Sequence, residues 1–255
     1  MWEYGLGASV GALLELGEDL DWSNDHGLRG TVFPISESER LYIGAKHTIP
    51  VSPSQSGIMI RNKGETVIKT VVEEVREIPG RPDVVVIKAR DGVLGIGGIS
   101  TEAPRGVWTE VASAGYPEDA IDARPEVRLV SVRGLKGYIT RPLPVGEAHG
   151  FPGDSYELSF AIPAGMSGSP LVNPKDIGLM GGVVGVCVGS HEARTTEWEL
   201  EIDDVGASRR NYRVVEYGVA SVLLSDDIDP FTGKPLIEVM GWGAGGAKEY
   251  KGPPM

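Results

Sequence analysis

Ser167 lies in Gly165-Met166-Ser167-Gly168-Ser169-Pro170, a stretch suited to presenting one hydroxyl at a tight turn. Glycines on both sides let the backbone bend sharply and point its N–H groups inward. Donors arranged in that way can hold the charge that develops on an attacked carbonyl oxygen. A serine hydroxyl is a poor nucleophile by itself. Chemistry at Ser167 therefore requires a base, and a further group to orient that base.

His47 is the candidate base. It ends the strand-like run Leu41-Tyr42-Ile43-Gly44-Ala45-Lys46, and Thr48-Ile49-Pro50 breaks the pattern after it. A histidine at a strand's end can leave the core and face a cleft, with its charge tunable near neutral pH. His26, His149 and His191 have no comparable setting. Asp83 is the candidate orienting acid. It opens Asp83-Val84-Val85-Val86-Ile87-Lys88, and a carboxylate directly before an apolar strand is costly to bury unpaired. The Nδ1–H of His47 would satisfy it and set the ring's tautomer. Taken singly, the histidine reads more readily as structural and the aspartate as an ordinary turn residue. Their combination with Ser167 favours a hydrolytic site.

The elements that must position these groups are mainly strands. Val/Ile/Tyr-rich runs recur at 29–35, 40–46, 58–61, 66–75, 84–89, 107–114, 127–140, 156–162, 183–188 and 212–223. Turn-forming residues separate them, drawn from 36 glycines and 18 prolines, which favours a sandwich or barrel. Helix is expected only weakly, at 8–16 and 226–229. Residues 197–202 and 212–216 read as a hairpin about a polar tip at 203–210, and 243–255 as a fraying tail. No internal repeat is evident. A division is expected near 100–105, giving an N-terminal extension (1–21), a first barrel (22–105), a second (106–224) and a C-terminal tail (225–255).

Composition narrows the function classes. A net charge of −12 without a Lys/Arg cluster argues against nucleic acid as a partner. Cys187 is the single cysteine, so no intrachain disulfide can form, and its apolar setting reads as core. The histidines lack metal-ligand spacing, and no Gly-rich phosphate loop opens a helix. Neither a metal nor a cofactor is expected. The apolar N-terminal stretch is preceded by Glu3 and by no Lys or Arg, unlike a secretory signal. No apolar run has the length of a membrane span, so a cytoplasmic location without membrane association is expected.

These motifs together resemble the trypsin-like (chymotrypsin-fold) serine proteases, especially their disulfide-poor bacterial members. The Ser167 stretch is similar to that family's Gly-Asp/Asn-Ser-Gly-Gly/Ser-Pro signature. Gly44-Ala45-Lys46-His47 resembles its histidine box, and Asp83-Val84-Val85-Val86-Ile87-Lys88 its Asp-Ile-Ala-Leu-Leu-Lys stretch. Gly30-Thr31-Val32-Phe33-Pro34-Ile35 resembles the strand before the histidine box, and the order His47, Asp83, Ser167 is that family's order. The likeness runs over roughly residues 22–224 by motif order.

The resemblance implies an all-β chain of two antiparallel six-stranded barrels with the active site in the crevice between them. It implies a serine endopeptidase acting on polypeptides, with His47, Asp83 and Ser167 as the triad. The backbone N–H groups of Gly165 and Ser167 would form the oxyanion hole. The substrate pocket would be walled by Ala161, Ile162, Pro163 and Ala164, opposite a segment within 186–190 that includes Val188 and Gly189. With no acid in the first wall, small or apolar side chains are expected there. Departures from the family pattern are Met166 in place of an acidic residue, Lys46 in place of a small one and Val85 in place of alanine. With about thirty residues after 224, no further binding domain is expected there. Two alternatives stay open: a protease-fold protein that binds polypeptide without cutting, and an α/β-hydrolase using Ser167. The second fits poorly, because Ser169 stands where that motif wants glycine and alternating helices are lacking.

Overall fold

The computed structural model describes residues 10–16, 18–20, 22, 27–61, 67–93, 98–120, 131–144, 153–176, 182–202 and 207–240. Six strands close a first barrel: β1 (Gly11–Glu15), β2 (Leu28–Ser36), β3 (Leu41–Ala45), β4 (Ser56–Arg61), β5 (Val67–Ile78) and β6 (Arg81–Ala89). Six more close a second: β7 (Glu110–Gly115), β8 (Arg133–Leu143), β9 (Ser155–Leu158), β10 (Pro170–Asn173), β11 (Gly182–Ile202) and β12 (Ala207–Val222). Neighbouring strands pair antiparallel in both. The all-β, two-barrel expectation is met.

Each barrel has its own interior, and a third core joins them. Leu13, Val32, Tyr42, Ile58, Val85 and Ile87 fill the first barrel, while Ile139, Tyr156, Leu158, Met166 and Leu171 are among those filling the second. Phe33, Ile35, Leu41, Ile43, Val84 and Val86 face outward from the first barrel and meet Ala112, Ala114, Tyr116, Val172, Val183 and Val186 of the second. This explains why β3 reads as an unbroken apolar run. Successive side chains point to opposite faces of a strand, and here both faces are covered.

Several expectations need correction. Residues 11–15 form β1 rather than part of a helix at 8–16, and so the first barrel already includes part of the expected extension 1–21. Leu13 enters the barrel interior while Ala12 and Leu14 enter the shared core, an alternation that fits a strand. At 226–229 there are turns and one bridge residue, and the short helix α1 comes later, at Leu236–Val239. Leu236 and Met240 are buried in the shared core, so this part of the expected tail is packed. The expected hairpin is real but longer, with Ile202 paired to Ala207. Its expected tip therefore includes strand at 207–210. The tail at 243–255 lies outside the described residues.

Candidate active site

Strand register brings His47 to Asp83. Ala45 at the end of β3 pairs with Val84 near the start of β6, so the residues just beyond Ala45 lie beside Asp83. A single 3-10 turn, Lys46–Thr48, follows, held by Thr48 Oγ1 donating to Ala45 O at 2.7 Å. Its geometry aims two groups of His47 at one carboxylate. The His47 backbone N–H donates to Asp83 Oδ1 at 3.1 Å, and His47 Nδ1 lies 2.9 Å from Asp83 Oδ2. Because a carboxylate accepts, this contact selects the Nδ1–H tautomer and leaves Nε2 as the basic nitrogen. The Asp83 side chain is 18% exposed and that of His47 is 48%, so the acid is sheltered while the ring remains accessible. Lys46 is engaged elsewhere, 2.6 Å from Glu77 on β5, and Val85 packs in the first barrel's interior.

Ser167 occupies the turn into β10, and the glycines around it are required. Gly165 has φ +86° and Gly168 φ +92°, the left-handed region that side chains disfavour. A Cβ on Gly165 would also lie 2.6 Å from Tyr116 O, and one on Gly168 would lie 2.9 Å from Ala45 N. The Ser167 turn is thus packed against backbone only two residues before His47. Gly168 N–H donates to Cys187 O at 2.7 Å and Ser169 N–H to Met166 O at 3.0 Å, which anchors the turn to β11 and closes it on itself. Met166 is fully buried in the second barrel.

Thr31, on β2, stitches this turn to the first barrel. Its N–H donates to Ser167 O at 2.8 Å, and its hydroxyl donates to Gly165 O at 2.9 Å while accepting from Tyr116 N–H at 2.9 Å. Sequence reasoning missed this residue. The available signal was a small polar residue inside the apolar strand Val32-Phe33, too common to read alone.

The N–H groups of Gly165 and Ser167 donate no hydrogen bond among the described residues. Glu118 N–H holds Ala164 O at 2.7 Å, fixing the peptide plane that carries the Gly165 N–H. Ser167 Oγ donates to Val188 O at 3.5 Å, the limit of a hydrogen bond, and makes none to His47. Of the expected pocket residues, Ile162 and Val188 are buried, Ala161, Pro163 and Gly189 are half-buried, and Ala164 is exposed. Ser190 connects the two walls: its Oγ accepts from Ile162 N–H at 2.6 Å and donates to Ile162 O at 3.2 Å. A cleft of about 320 Å³ is lined by His47 together with Glu15, Arg29, Ile49, Val51 and Gln55, among others.

Cys187 is completely buried, and burial pushes its thiol pKa up, as expected of a core residue. Among the described residues no group of three or more His, Cys, Asp or Glu side chains could hold a metal ion. No described helix is long and apolar enough to cross a membrane.

No family model matches the chain, and neither does any curated protein. Solved structures do. The active form of the Rv3671c protease from M. tuberculosis superposes with TM-score 0.55 at 18% identity, covering 87% of this chain and 78% of that one. The MamO protease domain from Magnetospirillum magneticum gives 0.54 at 15% identity, over 86% of this chain and 94% of that one. Deg5 gives 0.53 at 14% identity, over 74% and 82%. The fold is chymotrypsin-like. In this chymotrypsin-like arrangement the first barrel supplies His47 and Asp83 and the second supplies Ser167, with Thr31 bonded across the join.

Proposed function

We propose that this chain is a serine endopeptidase that cuts polypeptides through an acyl-enzyme, using Ser167, His47 and Asp83. The observation that carries the reading is the double hold of His47 on Asp83, through its backbone N–H and its Nδ1. A merely structural histidine has no need of a fixed tautomer. A general base does, because only one ring nitrogen can accept the nucleophile's proton. The names of the superposed structures, two of them proteases, support the same class.

In the first half-reaction Ser167 Oγ bonds to the scissile carbonyl carbon while its proton passes to His47 Nε2. The carbonyl π electrons move onto oxygen, where the uncommitted N–H groups of Gly165 and Ser167 receive them. Asp83 stabilises the imidazolium. The C–N bond then breaks, the amine takes the proton from Nε2, and an ester to Ser167 remains. Water repeats the sequence: its proton goes to Nε2, its oxygen bonds to the acyl carbon, and the proton returns to Ser167 Oγ as the carboxylic acid leaves.

A fluorophosphonate probe together with casein cleavage tests this. Labelling and cleavage are expected for the unmodified chain, and neither for Ser167→Ala; His47→Ala should slow both at least a thousandfold, in keeping with the scale of triad losses. A folded, unmodified sample that neither labels nor cleaves would overturn the reading. One observation favours the alternative of a groove that holds polypeptide uncut: Ser167 Oγ turns to Val188 O and not to His47. A serine hydroxyl has three staggered positions about one bond, and such contacts tighten once substrate is bound. The same experiment separates the two.

A further inference from the structure

We propose that Ser190 restricts cleavage to bonds following glycine, alanine or serine. This rests on the proposed function, because it concerns the substrate residue whose carbonyl Ser167 attacks. That carbonyl must sit about 3 Å from Ser167 Oγ and from the Gly165 and Ser167 N–H donors. Its side chain must then pass between the segment leading into Ser167, 161–164, and the segment behind it, 188–190.

Three features close that passage. Ser190 Oγ bridges the walls, 2.6 Å from Ile162 N and 3.2 Å from Ile162 O. A carbon chain needs about 3.5–4 Å to heavy atoms on either side, roughly 7 Å from wall to wall. The bridging hydroxyl takes that space. Beyond it, the Ile162 side chain, 5% exposed, fills the floor against β12. A Cβ on Gly218 of that strand would lie only 2.9 Å from Ile162 Cγ1. Gly218 N–H also donates to Phe160 O at 2.7 Å, so the leading segment is pinned at its start as well as at Ile162.

What distinguishes this closure from a generally narrow groove is its dependence on one hydroxyl. That hydroxyl satisfies both the N–H and the C=O of Ile162. Removing it deletes both bonds at once and frees the walls to part. Ser190→Ala removes the bonds and keeps the Cβ, whereas Ser190→Gly removes both. The two variants separate tethering of the walls from volume.

The experiment maps cleavage sites in a mixed peptide library by mass spectrometry and measures kcat/KM on matched peptides differing only before the cut. Thermal melts check that each variant is folded, and the fluorophosphonate probe reports Ser167 reactivity independently of the peptide side chain. The unmodified chain is expected to prefer alanine to leucine by about 100-fold, the scale on which a closed apolar site rejects extra methylenes. In Ser190→Gly the leucine-to-alanine ratio should rise at least tenfold, and in Ser190→Ala by a smaller factor. Unmodified protein cutting after leucine, phenylalanine or arginine as fast as after alanine would overturn the proposal while leaving the endopeptidase reading intact. So would an unchanged ratio in both folded variants. Absence of both labelling and cleavage would instead overturn the endopeptidase reading, and this proposal with it.

Discussion

At the scale of single residues, the argument turns on where protons and hydrogen bonds can go. Asp83 has two carboxylate oxygens, and His47 uses both. Replacing Asp83 with Asn keeps the volume but substitutes an amide, whose NH₂ facing the ring would favour the other tautomer and leave Nδ1 as the acceptor. Asp83→Asn should therefore lower kcat by about 10⁴-fold, with KM changed far less and the fold retained. Steady-state kinetics on one peptide, with circular dichroism as the folding control, checks this; a loss below tenfold would remove Asp83 from the mechanism. His47, Asp83 and Ser167 could be singled out in the sequence only by their combination and order, since taken singly the histidine reads as structural and the aspartate as a turn residue. Thr31 and Ser190 could not. Serine and threonine are ordinary in strands, and the partners of these two lie 134 and 28 residues away along the chain.

At the scale of elements, the question is what holds the Ser167 turn in a shape that presents two unspent N–H groups. Part of the answer is local, in the positive φ of Gly165 and Gly168. The rest comes from β2 through Thr31, whose hydroxyl fixes Gly165 O and so the orientation of the peptide that follows it. Thr31→Val is nearly isosteric and leaves both Gly165 O and Tyr116 N–H without that partner, each loss costing about 1–3 kcal/mol where no water can replace it. We expect kcat to fall about tenfold, less than the 10²–10³ for deleting an oxyanion donor outright, since the donors remain but are less well aimed. Thr31→Ser should restore it. A drop in melting temperature with kcat unchanged would leave Thr31 a structural residue alone. The strand pattern was largely legible at this scale, but both β10 and β1 were missed, and β1 is the clearer failure. Its short apolar run has no helical or strand period of its own, and its place depends on Gly11 approaching β4, where a Cβ would lie 2.7 Å from Ile58 Cγ2.

At the scale of the whole molecule, the two barrels repeat one topology that the sequence conceals. Counting from the first strand of each, both rings run 1-2-3-6-5-4, although no residue-level repeat is visible. A barrel constrains which positions face inward far more than which residues fill them, so topology can repeat without sequence repeating. The shared core then couples the halves, because side chains of both barrels and of α1 meet in it. A lesion in the second barrel should therefore be felt in the first. Glu157 on β9 supplies one that pH controls. Burial raises its pKa, but hydrogen bonds from Thr140, Arg141 and His191 outweigh that, and the carboxyl ends below its ordinary value. A folded-state pKa below the unfolded one means that its stabilising contribution is present above about pH 4.3 and is lost as pH falls through the folded value. Glu157→Gln should thus lower the urea midpoint at pH 7, and the gap to the unmodified chain should narrow from pH 4 downward. The chain has five tryptophans, so the comparison is made with Trp2, Trp108, Trp198 and Trp242 replaced by phenylalanine. If the barrels unfold as one unit, Trp22 fluorescence, reporting beside the first barrel, and far-ultraviolet circular dichroism, reporting on both, will then shift together on adding Glu157→Gln. A midpoint that moves by circular dichroism while the Trp22 signal stays put would mean that the barrels unfold separately. The Ser167 turn would then owe its shape to contacts that either barrel can lose without the other.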